Sequence, residues 1–151
     1  MNYVKTCVII LISAMVLSLV LTYASIMTII QFTKSNAERV LTSYCIENST
    51  KIYSSIKNGN DFTQFIDTDY FTDVFIKNGG TLDFDGIYLY NRNKNGSYVY
   101  RLTIPQIAFT NENTLSLTCT FDLLIPVEFA GKQFTELRIL IKVKVNFNLI
   151  N

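Results

Sequence analysis

Hydrophobic positions along this chain follow three successive periods. Residues 6–33 are apolar on all sides and contain no Asp, Glu, Lys or Arg. From Ser35 to Lys57 the apolar positions are Ala37, Val40, Leu41, Tyr44, Cys45, Ile52 and Ile56, at helical 3–4 spacing. From Thr81 the period becomes two. The pattern predicts one helix over about residues 5–57, stopped by Asn58-Gly59, since glycine suits the left-handed position after a helix. Asp61–Ile66 and Asp69–Lys77 read as two short helical pieces. Asp69 is the expected cap of the second, and Asn78-Gly79-Gly80 its end.

The alternating region predicts four strands. Gly86–Tyr90 and Tyr98–Ile104 flank NRNKNG, whose Asn95-Gly96 is a strong hairpin signal. Tyr98, Tyr100, Leu102 and Ile104 are expected on one face. Leu115–Val127 and Leu137–Leu149 form a second pair around Ala130-Gly131-Lys132. Pro105 and Pro126 mark a strand end, edge or bulge. Each strand has one apolar face, and the amphipathic helix is the expected cover. The expected fold class is α+β, a long N-terminal helix packed on a four-stranded antiparallel meander. The expected division is an anchor over 1–33 and one domain over 34–151. That domain comprises an amphipathic helix (34–58), a helical connection (59–80) and a sheet (81–151).

Residues 7–32 would measure about 39 Å as a helix, against a hydrocarbon core of about 30 Å. A spanning segment must pair its backbone groups internally, which a helix does. A cleaved secretory signal is the rival reading, with Thr22 and Ala24 before the cut. The apolar run continues through Ile26, Ile29 and Ile30, beyond a typical signal core, so an uncleaved anchor is expected. Lys5 and the short tail before it place the N-terminus in the cytoplasm and the body outside the membrane. Ala14, Ser18, Thr22 and Ser25 form a small-residue stripe on one helix face, of the kind that lets membrane helices approach each other.

Composition narrows the chemistry. The 151 residues carry a net charge of +1, contributed by Lys5, so the rest is neutral. No basic excess is present to neutralise phosphates, and nucleic acid is not expected as the main partner. There is no histidine, which excludes Ser-His-Asp and Cys-His catalysis. No nucleophile motif or phosphate-binding glycine loop is present, so no enzyme, cofactor or metal site is expected. Asp67, Asp69, Asp73, Asp83 and Asp85 offer oxygen ligands of the kind calcium uses, but match no EF-hand loop, and Asp is ordinary at caps and turns. The acidic stretch opposes a basic one at Lys132, Arg138, Lys142 and Lys144. This polarity suits either head-to-tail contact between copies or two solvated faces. Cys45 and Cys119 fall on the expected inner faces of helix and sheet. They are a candidate disulfide, or two buried thiols acting as small apolar residues.

The apolar run followed by QFTKSNAERVLTSYCIENSTKIYSSI and then a meander resembles type IV pilin-like proteins, and the stalk resembles TadE-like pseudopilins of Gram-positive bacteria. The likeness covers the whole layout. It implies a membrane-anchored structural or assembly subunit of a pilus, competence, secretion or conjugation apparatus, partnered by other pilin-like subunits or copies of itself. No glycine precedes Gly59 and no acidic residue precedes Glu38. The implied role is therefore that of an unprocessed, membrane-anchored component. The alternative is a membrane-anchored ligand-binding or sensor module.

Overall fold

The computed structural model describes residues 2–60, 67–78, 82–111, 115–129 and 132–146. The elements are α1 (Asn2–Lys57), α2 (Thr68–Asn78), β1 (Leu82–Phe84), β2 (Tyr88–Arg92), β3 (Tyr98–Thr103), β4 (Gln106–Asn111), β5 (Leu115–Phe129) and β6 (Lys132–Asn146). The chain divides into two compact units, Met1–Thr33 and Lys34–Asn151.

The first unit is the apolar part of α1. Its window of 18 residues with mean hydropathy 2.5 makes α1 long and apolar enough to cross a membrane. Leu17 and Leu19 are 59% and 68% exposed. Three threonine hydroxyls here are satisfied within the helix, whereas Thr33 Oγ1 is buried without a hydrogen-bond partner among the described residues. Thr6 Oγ1 donates to the Asn2 carbonyl, Thr22 Oγ1 to Ser18 and Thr28 Oγ1 to Ala24, at 2.8–3.0 Å. Such back-bonding lets a threonine sit in a medium without water.

In the second unit, α1 buries Ala37, Val40, Leu41, Tyr44, Cys45 and Ile52 of the 3–4 pattern, but the expected Ile56 is exposed and Ser55 is buried instead. Gly59, at φ 68°, ends it; Asn60 N–H donates to the Ser55 carbonyl at 2.9 Å. The cap of α2 is Asp67, not Asp69. Asp67 Oδ1 accepts from the N–H groups of Asp69 and Tyr70, both at 3.0 Å, the N2 and N3 donors a cap must satisfy. The expected piece at Asp61–Ile66 and the glycines Gly79-Gly80 lie outside the described residues, as do Phe147 and Leu149.

Among the described residues the sheet has six strands rather than four, because β1 joins the edge of β2 and a further strand, β4, follows Pro105. All pairings are antiparallel. One side of β5 is lined by β6. The other is lined by β4 near its start and by β3 further along. Leu102 faces Leu123 but Gln106 faces Thr120, so β3 and β4 act as one strand broken by an extra residue at Ile104-Pro105. Proline has no N–H for the ladder, and beside this break Asp122 N–H donates to the side chain of Thr103, at Oγ1, at 2.9 Å.

Leu89, Leu102, Leu123 and Ile139 form one row across four strands. The cover over this face includes α2, which the helical pattern of α1 did not reveal. Tyr44 of α1 meets Phe71 edge-on at 5.2 Å, Phe71 meets Phe75 at 6.0 Å, and Phe75 meets Phe121 of β5 at 5.8 Å. An aromatic chain thus joins helix, helix and sheet. Tyr98 departs from the expected face. A register shift between Asn91 and Arg92 sets Arg92 opposite Tyr98 while Asn91 stays opposite Tyr100. Tyr100 is buried, and Tyr98 turns outward.

Candidate functional site

Ala14, Ser18, Thr22 and Ser25 all lie on exposed turns of α1 in the first unit. Their spacing places them on one side of the helix. Thr22 and Ser18 are further linked by the back-bond described above.

Cys45 and Cys119 are both buried, and the two are free thiols rather than a bridge. Burial pushes each thiol up from 9.0 to about 12. The neutral thiol is the form the fold accepts. An unfolded chain loses these protons near pH 9, whereas the folded one holds them to about pH 12. The unfolded state therefore binds fewer protons in that window, and stability falls as pH rises through it, by about 1.4 kcal/mol per pH unit for each thiol. Cys119→Ala should flatten the decline in melting temperature between pH 8.5 and about 10.5; an equal decline in both proteins would remove the thiol from the explanation.

Three of the five candidate acidic residues are engaged with the chain itself. Asp67 caps α2. Asp85 Oδ1 accepts from the N–H groups of Ile87 and Tyr88 at 2.8 and 2.7 Å, and these bonds hold its carboxyl below the usual range. Asp83 pairs with Arg92 at 3.2 Å. Among the described residues no group of three or more His, Cys, Asp or Glu side chains could hold a metal ion.

The helices of the second unit enclose a cleft of about 310 Å³ lined by Tyr44, Glu47, Asn48, Lys51, Asp67 and Tyr70. Tyr44 and Asn48 are tied to its walls. Tyr44 Oη accepts from Asp67 N–H at 3.2 Å, and Asn48 Nδ2 donates to the Tyr44 carbonyl at 2.9 Å. Burial and the nearby Asp67 raise the Tyr44 phenol above its ordinary value, against the lowering effect of its bond to the Asp67 backbone.

The feature sequence reasoning missed is on the outer face of the sheet. Tyr88, Tyr90 and Tyr98 meet edge to face at 6.3 and 5.7 Å. The Arg101 guanidinium lies 4.3 Å from the Tyr88 ring centre and that of Arg92 lies 5.0 Å from Tyr90. Arg101 also forks onto Glu136 of β6 through Nε and Nη2, at 2.8 and 2.7 Å, reaching across β5. Arg138 pairs with Asp122. Tyrosine and arginine are the residue types favoured at protein interfaces. The signal available in sequence was Tyr88 and Tyr90 at period two; the bulge that adds Tyr98 was not readable.

No family model, curated protein or solved structure matches this chain.

Proposed function

We propose that this chain is a membrane-anchored, non-catalytic structural or assembly subunit, pseudopilin-like, of a bacterial surface, secretion, competence or conjugation apparatus. The observation that carries this reading is the make-up of α1. One helix of 56 residues contains an uncharged apolar run that is exposed from Thr6 to Ser25 and, further on, a face buried in a folded α+β unit. Apolar side chains exposed over such a length have no stable place in water, and lipid satisfies them. The head supplies a Tyr- and Arg-rich outer face for protein partners, and the N-terminus stays in the cytoplasm with the head outside. Prepilin-type processing is not part of the proposal, since the chain lacks the glycine that would precede the cut.

The decisive experiment is fractionation of cells making the full chain, with N-terminal sequencing of the recovered protein. The expected result is a carbonate-resistant membrane protein that still begins at Met1 or Asn2. A soluble exported product beginning at Ser25 would make the segment a signal and discard the anchor. Within the membrane, replacing both Ser18 and Thr22 by Leu should reduce cross-linking between copies through α1 severalfold, because bulk on the stripe keeps backbones apart. Unchanged oligomers would take the stripe out of the account.

A second reading, a ligand-binding or sensor head, draws on the cleft beside Tyr44 and Asp67. Under the subunit reading, calcium titrated into the purified chain gives no saturable heat; a saturable heat favours the sensor.

A further inference from the structure

We infer that Asn95-Gly96, at the tip of the β2–β3 hairpin, is a site where the chain modifies itself, the Asn95 amide passing through a backbone imide to aspartate and isoaspartate. The site lies in the sheet and does not depend on whether α1 is a membrane anchor. Three Asn-Gly pairs occur in the chain, at Asn58-Gly59, Asn78-Gly79 and Asn95-Gly96. A glycine after asparagine leaves its backbone nitrogen open to the asparagine side chain, because no Cβ stands beside it. By sequence the three pairs are equal; the structure separates them.

At the hairpin tip, Arg92 to Ser97 are all exposed. The Asn95 side chain makes no hydrogen bond among the described residues. The space beside Gly96 is open, since a Cβ added there would meet no atom within 4 Å. One bond restrains the attacking nitrogen, from Gly96 N–H to the Asn93 carbonyl at 2.9 Å. Asn93 N–H donates to the Ser97 carbonyl at 2.8 Å and Arg92 Nη1 to the Gly96 carbonyl at 3.1 Å, and these bonds involve neither reacting atom. A turn held by so few exposed bonds opens locally without unfolding the sheet. The other two pairs are held. At the end of α1 the N–H groups of Asn58, Gly59 and Asn60 all donate to helix carbonyls, those of Ser54, Ile56 and Ser55, at 2.9–3.1 Å. Turning the Asn58 backbone toward ring closure breaks this run together. Asn78 Nδ2 donates to the Val74 carbonyl at 3.1 Å, and the Asn78 carbonyl accepts from Arg39 Nη2 at 2.8 Å. Its side chain and the peptide that must rotate are thus both tied.

The reaction needs only water. Gly96 N gives up its proton to solvent base and attacks Asn95 Cγ. The N–Cγ bond forms, the Cγ–Nδ2 bond breaks, and the leaving nitrogen takes up a proton and departs as ammonia. Water then adds to the cyclic imide. Breaking N–Cγ gives aspartate; breaking the bond from N to the main-chain carbonyl carbon gives isoaspartate, whose main chain runs through Cγ and is one atom longer. Either product adds a carboxylate to an exposed turn whose charges are Arg92 and Lys94, lowering the formal net charge by one unit from +1. The longer isoaspartyl turn acts on Arg92, which closes the hairpin on the Gly96 carbonyl, pairs with Asp83 at 3.2 Å and lies 5.0 Å from the Tyr90 ring centre. Conversion therefore alters one edge of the tyrosine–arginine face.

The test incubates the purified full chain at mildly alkaline pH and follows each Asn-Gly pair by peptide mass spectrometry, with fragmentation that separates aspartate from isoaspartate. An Asn95→Asp chain is the standard for aspartate alone, and a synthetic peptide of residues 92–99 gives the unrestrained rate. Circular dichroism checks that the chain stays folded. Both products should form at residue 95 at a rate within about tenfold of the peptide's, which corresponds to a turn-opening cost of no more than about 1.4 kcal/mol. Conversion at Asn58 and Asn78 should be slower than at Asn95 by about tenfold or more, since more bonds must open there. Aspartate without isoaspartate at residue 95 overturns the imide route. A rate at Asn95 more than about tenfold below the peptide's, or conversion at Asn58 or Asn78 as fast as at Asn95, overturns the assignment of the site.

Discussion

Replacing Phe75 by Ala should destabilise the folded head by about 3–5 kcal/mol, the largest effect expected from a single apolar truncation here. Phe75 is fully buried. It lies between Phe71 of the same helix and Phe121 of β5, at 6.0 and 5.8 Å. Removing the ring takes away its own transfer free energy and also leaves a void between α2 and the sheet. The void cannot close cheaply, because α2 is pinned at both ends. Asp67 caps it, and Arg39 of α1 donates from Nη2 to the carbonyl of Asn78 at 2.8 Å. Collapse would have to break these bonds. A head of this size has a total stability on the order of 5–15 kcal/mol, so Phe75→Ala removes a large share of it. Urea unfolding, followed through the tyrosines of this tryptophan-free chain, measures the change. A loss under about 1 kcal/mol would mean that α2 is not an essential layer of the core. Phe84→Ala is the control, since that ring is 47% exposed and should cost much less.

Placing arginine at both Leu17 and Val20 should release the chain from membranes. Each exchange of an aliphatic residue for arginine near the centre of a spanning helix costs about 3 kcal/mol, so the pair costs about 6 kcal/mol. The expense is high because lipid offers no partner to receive the charge. Leu17 and Val20 are 59% and 57% exposed, and no other described element has the length and hydropathy to span beside α1. Both sites are also too far from the ends of the apolar run for the side chains to reach water easily. Carbonate extraction of cells making this variant should move most of the protein out of the membrane pellet, with the folding of the head unchanged. Full retention in the pellet would show that something other than lipid contact with this segment holds the protein there. The control is Leu17→Ile with Val20→Leu, which preserves hydrophobicity and should not alter the partition.

Long, strongly periodic segments were the most legible. The 3–4 pattern of Ala37, Val40, Leu41, Tyr44 and Cys45 marks the face that α1 buries, because a helix with an apolar stripe must cover it. Alternation over Leu115–Ile125 identified one buried face of β5 but not that Ser116 and Thr118 on its other face are buried as well. Asn95-Gly96 identified a hairpin, with Gly96 at φ 82°. Short or interrupted features were less legible. Pro105 announced an interruption but not that the chain resumes as β4 in nearly the same register. Asp67 and Asp69 are equally good caps by type, and only the start of α2 at Thr68 decides between them. The outer-face cluster of Tyr88, Tyr90, Tyr98, Arg92 and Arg101 depends on a register shift, which a one-residue difference in loop geometry is enough to produce.

What the residues determine by themselves is local and periodic: an uncharged run that demands an apolar medium, an amphipathic continuation, and strands with one apolar face. These follow from side-chain spacing, which every helix and strand converts into faces by the same geometry. What only the tertiary structure decides is which faces meet. The interposition of α2, the turning outward of Tyr98, and the pairing of β6, among the described residues, with β5 alone all depend on contacts between residues distant in sequence. Those contacts are set by the packing of particular rings and by single-residue bulges, and neither leaves a period that can be read along the chain.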